Sequence, residues 1–587
     1  MAKPTYHIGL SMAGAVSAGS YTAGMLTQLF ETINAWYGYK AKGITFKDPD
    51  GKVITIKPDE MPLHEICLEA LSGASAGGMC TALLAVCLAE GKFDRLYDTW
   101  VNQVDLKPML STTDIRSTSS PIYSLFNVNV IDNIAQGITN FVHDSSKPWP
   151  PYLAEQIDMY LTLTNLEGVP YDLSFSSATS SNQFIRNFAD YKRFTLIKPG
   201  SSPNHPPDST LLDPNAKNSL SNVKEWSELV SACVASGAFP FGLKPRTISR
   251  RKIEYDKREW YFTYQMQPGV KPEAQPIPVK WADGTPDPID FQYVDGGVMN
   301  NEPFELVRRR LALNQGYWRN PTKGNEAISG VIMIDPFPSD PPKISGSLID
   351  KLPEVHQLLP ELFGSLRNQA LFSQDLLYAA LDPSVYSRFL VSPMRSELVN
   401  GKYVPASEPL ASSTLDAFGG IISGAFRNHD YNLGKRNCYD FLQKYFSLPL
   451  SNGIVNYVEK NGLKDKYQKA GWLTAKNNSE GVSELHMQII PVIPANATGD
   501  KPAPILPAPA YPEWPVIYSD NLEELREMAY DRFEKILDVY IDKMTDNWAS
   551  ERAFNIVVDK LFLNKKWFGK KWTSLIEDPL RVLKLLK

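Results

Sequence analysis

Cysteine, histidine and uninterrupted apolar sequence are all scarce in this 587-residue chain. The five cysteines, Cys67, Cys80, Cys87, Cys233 and Cys438, form no CxxC pair, which argues against a zinc ribbon or a thioredoxin-like motif. Odd in number and widely scattered, they fit a reducing compartment with every thiol free. The most apolar stretch, roughly Cys80 to Ala89, is far short of the ~20 residues a membrane-spanning helix needs. Met1 to His7 runs straight into a strand-like segment without the basic and apolar regions of a secretory signal. A formal net charge of −5 is small for this length and argues against a nucleic-acid binder. Together these features predict a cytoplasmic protein that touches membranes only peripherally.

What is present is the composition of a globular protein, 43% hydrophobic and 21% charged, in a chain long enough for two or more domains. Short apolar runs at Ile8–Met12, Ile66–Leu71, Met159–Thr164 and Gly330–Ile334 read as strands, and Tyr21–Trp36 and Met79–Leu88 read as helices between them. The alternation predicts an α/β fold: a doubly wound, mostly parallel sheet with helices on both faces, over residues 1–345. Within it, 245–292 reads as a charged and aromatic insertion carrying Arg250-Arg251-Lys252 and a hairpin pattern at Trp260, Phe262 and Tyr264. Residues 346–490 read as mainly helical, for example Leu362 to Leu381. A proline-rich connector is expected over 491–517, and a helical tail over 518–587 that opens at Ser519-Asp520-Asn521.

Chemistry enters at Gly73-Ala74-Ser75-Ala76-Gly77, a GxSxG sequence placed directly between a strand and a helix. Small residues let the chain turn sharply there, so that the Ser75 hydroxyl points out at the carboxyl end of the sheet. The following helix offers N–H groups and positive potential to a developing anion. Without its setting the pentapeptide is a tight turn with a capping serine; the setting makes Ser75 a candidate nucleophile.

Three further segments resemble the patatin-like phospholipase family, over roughly Tyr6 to Pro336. Gly14-Ala15-Val16-Ser17-Ala18-Gly19, with Gly24 five residues later, is similar to that family's glycine-rich oxyanion loop. Tyr293-Val294-Asp295-Gly296-Gly297 is similar to the segment that supplies its catalytic aspartate, and Cys233 to Pro240 is similar to the small-residue stretch before it. The resemblance implies a lipid acyl hydrolase of the phospholipase A or lysophospholipase type. Its implied dyad is Ser75 and Asp295, its oxyanion hole Gly14, Ala15 and Val16, and its motif glycines Gly73, Gly77, Gly296 and Gly297. It implies an acyl or phospholipid substrate and neither metal nor cofactor. Ala15 and Val16 stand where the family has glycine, and Ala18 where it has a basic residue. Either the loop uses ordinary dihedrals here or its oxyanion hole is weakened.

Two alternatives stay open. His429 follows Ser75 and Asp295 in the chain order of a Ser-Asp-His triad, which would make a histidine-assisted esterase. A decayed oxyanion loop would instead leave a lipid-binding protein. The neighbouring cations Arg427, Lys435 and Arg436 are candidates for an anionic head-group site. Residues 560–587 carry eight basic residues against Glu577 and Asp578, interleaved with Phe562, Trp567, Phe568 and Trp572, and are a candidate peripheral membrane contact.

Overall fold

The first apolar run becomes strand β1 (Thr5–Met12), an inner strand of a sheet that has nine strands among the described residues. The computed structural model describes residues 3–173, 183–202, 205–216, 218–260, 277–317, 320–337, 387–399, 401–415, 417–477, 481–498, 507–544 and 565–587. A hairpin, β2 (Ile44–Lys47) with β3 (Val53–Ile56), stands apart from the main sheet. The sheet continues with β4 (Glu65–Gly73), β5 (Leu153–Leu173), β6 (Gln183–Ile197) and β7 (Ser209–Leu212). It is completed by β8 (Arg246–Arg250), β9 (Ile289–Asp295), β10 (Ser329–Ile334) and β11 (Arg388–Val391). The strand order is β11-β10-β1-β4-β5-β6-β7, with β9 also paired to β5 and β8 to β9. Neighbours from β11 to β5 are parallel, whereas β5 with β6 and β5 with β9 are antiparallel. The expected mostly parallel α/β sheet is therefore present.

Helices α1 (Gly19–Lys40), α2 (Ala76–Glu90), α3 (Asn129–Ile138) and α4 (Lys224–Ser236) border the site described below. Helix α5 (Phe304–Asn314) lays Phe304, Val307 and Leu311 on Ala70 and Val331, forming a separate small core. The α2 sequence is apolar on every side and is correspondingly buried almost throughout.

Two readings of the sequence change in detail. The strand read at Met159–Thr164 is 21 residues long, because Asp158 and its flanking charges lie inside the strand rather than ending it. Asp158 is buried beside Arg193 at 3.0 Å, so its charge gives no sign of a strand end. Both ends of the 245–292 segment are strands of the main sheet, β8 and β9. Arg250, read as part of a charged insertion, is buried against Asp190 and Glu254; with Arg258 beside Asp190 and Lys192 beside Glu254 it holds their carboxyl groups down at about 2 despite burial. The hairpin positions Phe262 and Tyr264 and the helix read at Leu362–Leu381 lie outside the described residues.

Downstream, α6 (Gly424–Lys444) crosses α1 at backbone contact. A Cβ on Gly24 would overlap the Tyr431 carbonyl, and one on Gly434 the Tyr21 carbonyl. Tyr21 donates to Asn437 Oδ1 at 3.1 Å and Tyr431 to Thr27 Oγ1 at 2.9 Å across the same crossing. A three-stranded sheet of 447–449, 473–477 and 483–488 follows. The tail begins with α7 (Ser519–Met544) and ends with α8 (Lys565–Trp572) and α9 (Asp578–Val582). No helix among the described residues is long and apolar enough to cross a membrane.

Candidate active site

Strand β4 ends at Gly73 and α2 begins at Ala76, so Ser75 sits at the turn between them with φ 52° and ψ −125°. A serine with positive φ is strained, at a cost on the order of 1–3 kcal/mol. The surroundings that impose this strain are close-packed: a side chain on Gly77 would strike the carbonyls of Met12 and Ala13, and one on Gly73 that of Gly77. Asp295 closes β9, its main chain fixed by its N–H to Ala238 O (2.9 Å) and by Thr164 Oγ1 donating to its carbonyl (2.8 Å). Its carboxylate accepts the Gly297 N–H at 2.7 Å on Oδ1 and the Ser75 hydroxyl at 2.6 Å on Oδ2. Ser75 is 8% and Asp295 2% exposed, so this hydrogen bond is shielded from bulk water. A side chain on Gly296 would overlap Thr162, and one on Gly297 would crowd both Asn301 and Asp295.

Beside the pair lies the loop from Ala13 to Ala18. Gly14 is packed against both neighbours, since a Cβ there would overlap Asn301 Oδ1 and come within 3.1 Å of Ser75 Cβ. Its N–H donates to Asn301 O at 3.2 Å, so Gly14 shapes the loop and offers no donor to a substrate. The N–H groups of Ala15 and Val16 have no acceptor among the described residues, and Val16 lines the cavity that opens at Ser75. Val16 holds φ 45° and Ala15 φ −147°. The loop therefore does not revert to ordinary dihedrals; a β-branched residue occupies a conformation that suits glycine.

The clamp that holds it comes from four hundred residues away. Ser17 N–H donates to Ala417 O at 3.2 Å, its hydroxyl donates to the same carbonyl, and it accepts the Gly420 N–H at 3.0 Å. Leu415 and Ala417 are themselves at positive φ, 57° and 74°. The Asp430 carboxylate anchors that segment by accepting the N–H groups of Ala411 (2.8 Å) and Ser412 (3.0 Å) together with the Ser412 hydroxyl. Arg427, buried, donates to the carbonyls of Val101 (3.0 Å) and Gly420 (2.9 Å). Sequence reasoning missed Ser17, Asp430 and the 411–421 segment as parts of the site, because no local spacing joins them to Ser75.

A half-open cavity of about 110 Å³ leads from Ser75, Ala76 and Val16. Its floor is Met79 and Leu83 of α2 with Trp100; α3 contributes Ile131, Ile134 and Ile138. Phe126, Phe239 and Leu243 line another side, and Phe418 and Ile421 bring in the clamping segment. Almost no polar side chain lines it besides Ser17, Ser75 and Thr99.

The other candidates are placed elsewhere. His429 Nδ1 bonds Asp430 Oδ1 at 2.8 Å and its ring meets Trp514 edge-on, so its partners are not Ser75 and Asp295. Of the proposed head-group cations, Arg427 is engaged as above, Arg436 grips Asp440 in a fork at 2.9 and 3.0 Å, and Lys435 pairs with Glu31 at 2.8 Å. In the tail, Trp572, Leu580, Leu585 and Leu586 are buried against Leu106, Met109, Leu110 and Ile421, and thus form the outer support of the cavity. The chain end is stitched down by Lys587 N–H to Ile517 O (3.0 Å) and Ile517 N–H to Leu585 O (2.8 Å). Of the aromatic residues read there as a membrane contact, Trp572 is buried, Phe568 packs half-buried against the same cluster, and Phe562 lies outside the described residues. One potential metal-ligating group, His7, Cys67 and Glu69, lies near the starts of β1 and β4, at the opposite end of the strands from Ser75. Glu69 is already engaged there by His7 (2.5 Å) and Asn314 (2.8 Å).

Residues 10–308 match the family described as patatin-like phospholipase. The chain belongs to the patatin-like phospholipase family. Membership brings a lipid acyl hydrolase activity as the family's expectation, and the matched span holds Gly14, Ser75 and Asp295. The uncharacterized protein y4iI of Sinorhizobium fredii is 30% identical over 571 residues, covering 87% of this chain and 73% of that protein. Similarity to it thus extends well past the patatin-like span. The crystal structure of VipD from Legionella pneumophila aligns over 75% of this chain and 67% of its own, at 10% identity and a TM-score of 0.24.

Proposed function

We propose that this patatin-like protein hydrolyses acyl esters of lipids, of the phospholipase A or lysophospholipase type, with Ser75 as nucleophile and Asp295 as its base. The observation that carries the reading is the 2.6 Å hydrogen bond from Ser75 Oγ to Asp295 Oδ2 at the head of an apolar cavity. As Ser75 Oγ attacks the ester carbonyl carbon, its proton passes to Asp295 Oδ2. The carbonyl oxygen becomes an oxyanion, and in this reading the N–H groups of Ala15 and Val16 and the amino end of α2 stabilise it. Asp295 returns the proton to the departing alcohol as the tetrahedral intermediate collapses to the acyl-enzyme. Water then repeats the sequence in reverse roles: Asp295 takes its proton, hydroxide attacks the acyl carbon, and Ser75 leaves reprotonated. The Gly297 N–H on Oδ1 keeps the carboxylate turned so that Oδ2 faces the serine.

The cavity supports a hydrocarbon chain as the acyl part, since water there would find few hydrogen-bonding partners. A head group would lie outside it, which leaves head-group selectivity loose. Labelling with a fluorophosphonate tests the proposal, with mass spectrometry of the products from a mixed phospholipid extract. Labelling at Ser75 and release of fatty acid are expected. A folded protein that is neither labelled at Ser75 nor able to release fatty acid would overturn the catalytic proposal.

A further inference from the structure

Two segments at the open side of the cavity alternate between lining it and projecting away from it. In the first, Phe126 lines the cavity while Tyr123 and Leu125 are 62% and 53% exposed. In the second, Phe239 and Leu243 line it while Phe241 between them is 81% exposed. Phe241 is also held at φ 67°, a left-handed conformation that costs a bulky residue free energy. The ring itself gains no packing inside the protein, because it is in water.

The projection is nevertheless rigidly supported. Leu125 N–H donates to Phe241 O at 2.8 Å, Phe126 N–H to Gly242 O at 3.1 Å and Leu243 N–H to Phe239 O at 2.8 Å. Arg532 of α7 donates to the Leu125 carbonyl from behind and forks onto Asp114 at 2.8 and 2.9 Å. The Lys244 ammonium lies over the Tyr123 ring at 5.7 Å and has no ion-pair partner among the described residues. Exposed aromatic and aliphatic tips, one cation and a fixed backbone thus rim the mouth of an apolar cavity.

We infer that Tyr123, Leu125, Phe241 and Lys244 form the surface by which this protein docks onto lipid aggregates, the apolar tips entering the acyl layer and Lys244 meeting an anionic head group. The inference rests on the lipid-ester reading above. Lipid is favoured because the same two segments line the acyl cavity, so a chain leaving the aggregate at this rim passes directly towards Ser75. A protein partner or second copy seated there would cover the mouth. Among the described residues of the tail, Trp572, Leu580, Leu585 and Leu586 are buried and so are not available to such a surface.

The test is sedimentation with phosphatidylcholine vesicles containing phosphatidylglycerol, alongside turnover of a water-soluble, short-chain ester. Phe241→Asn suits it, since asparagine tolerates positive φ and the fold is retained. Partitioning onto vesicles is expected to fall roughly tenfold, the effect of withdrawing one large apolar side chain from an interface. Soluble-ester turnover is expected to stay at the parent level. Lys244→Glu is expected to weaken binding to the anionic vesicles only, and more at low than at high salt. Unchanged vesicle binding by Phe241→Asn, or no binding by the parent protein, would overturn the inference. So would a Phe241-dependent dimer in solution, which would assign the rim to a second copy. Absent turnover of any ester with Phe241-dependent vesicle binding would sink the catalytic proposal and leave the docking surface standing.

Discussion

Gly14 and Val16 make opposite demands on one loop, and exchanging their side-chain burdens tests how the oxyanion hole is built. In Gly14→Ala the new methyl would overlap Asn301 Oδ1 and sit 3.1 Å from Ser75 Cβ and 3.2 Å from Asn301 Cγ. Asn301 cannot retreat freely, because its own carbonyl accepts the Gly14 N–H and its side chain lies over Gly297. The loop must therefore move, carrying the Ala15 and Val16 N–H groups with it. Losing one such donor costs about 3–4 kcal/mol of transition-state stabilisation, or 10²–10³ in kcat. Val16→Gly works the other way. It releases the strain of a β-branched residue at φ 45°, on the order of 1–3 kcal/mol, against about 0.5–1 kcal/mol for glycine's greater freedom when unfolded. Steady-state kinetics on a soluble ester, paired with thermal melts, separates the two effects. Gly14→Ala should lose at least a hundredfold in kcat with KM little changed, and Val16→Gly should melt no lower than the parent and keep its kcat. A fully active Gly14→Ala enzyme would show that the oxyanion is held elsewhere.

Ser75→Ala and Asp295→Asn should each abolish nearly all esterase activity, and the double variant should be no worse than either, because the two act as one unit; substantial turnover by Asp295→Asn would sink the dyad. Ser17→Ala leaves the Gly420 N–H without its acceptor, and kcat is expected to fall about tenfold at unchanged KM, whereas a lowered melting temperature with parental kcat would make the clamp purely structural. Asp335, raised to about 7 by burial and by Glu302, binds its proton more tightly folded than unfolded, so its contribution to stability is complete below about 4 and drains away as pH rises to about 7. Asp335→Asn should therefore match the parent near pH 4 and exceed it above pH 7, by up to about 4 kcal/mol, in denaturant titrations at the two pH values; an equal gain at both would refute this assignment.

The sheet and the turn that carries Ser75 were legible because their signals are local. An apolar run, a small-residue turn and an apolar helix occupy consecutive positions from Ile66 to Leu88, and the physics that makes them a strand, an elbow and a helix acts over the same distance. The Ser17 clamp was illegible for the converse reason: residues 17 and 417 are four hundred positions apart and meet only in the folded chain. Val16 even misled, since side-chain preference argues against the dihedral it adopts and only the surrounding contacts impose it. Arg250 and Asp158 show a third limit. A charge in the sequence reads as surface, and nothing nearby announces the partner that allows it to be buried. The tail aromatics and leucines carry the pattern of a membrane contact and of a helix packed on a core alike; the residues they meet, Met109 and Ile421 among them, are far away in the chain.

The close crossing of α1 by α6 sets an order of events in the life of each molecule. Ser75 and Asp295 leave the ribosome long before Ala417, Gly434 and the tail that supports the cavity wall. A nascent chain holding only its first three hundred residues has Ser75 and Asp295 but no brace for the Ala13–Ala18 loop beside them. Premature termination, or proteolytic loss of the second half, would leave a fragment that holds Ser75 and Asp295 without the contacts that Ala417 and Gly420 make to Ser17.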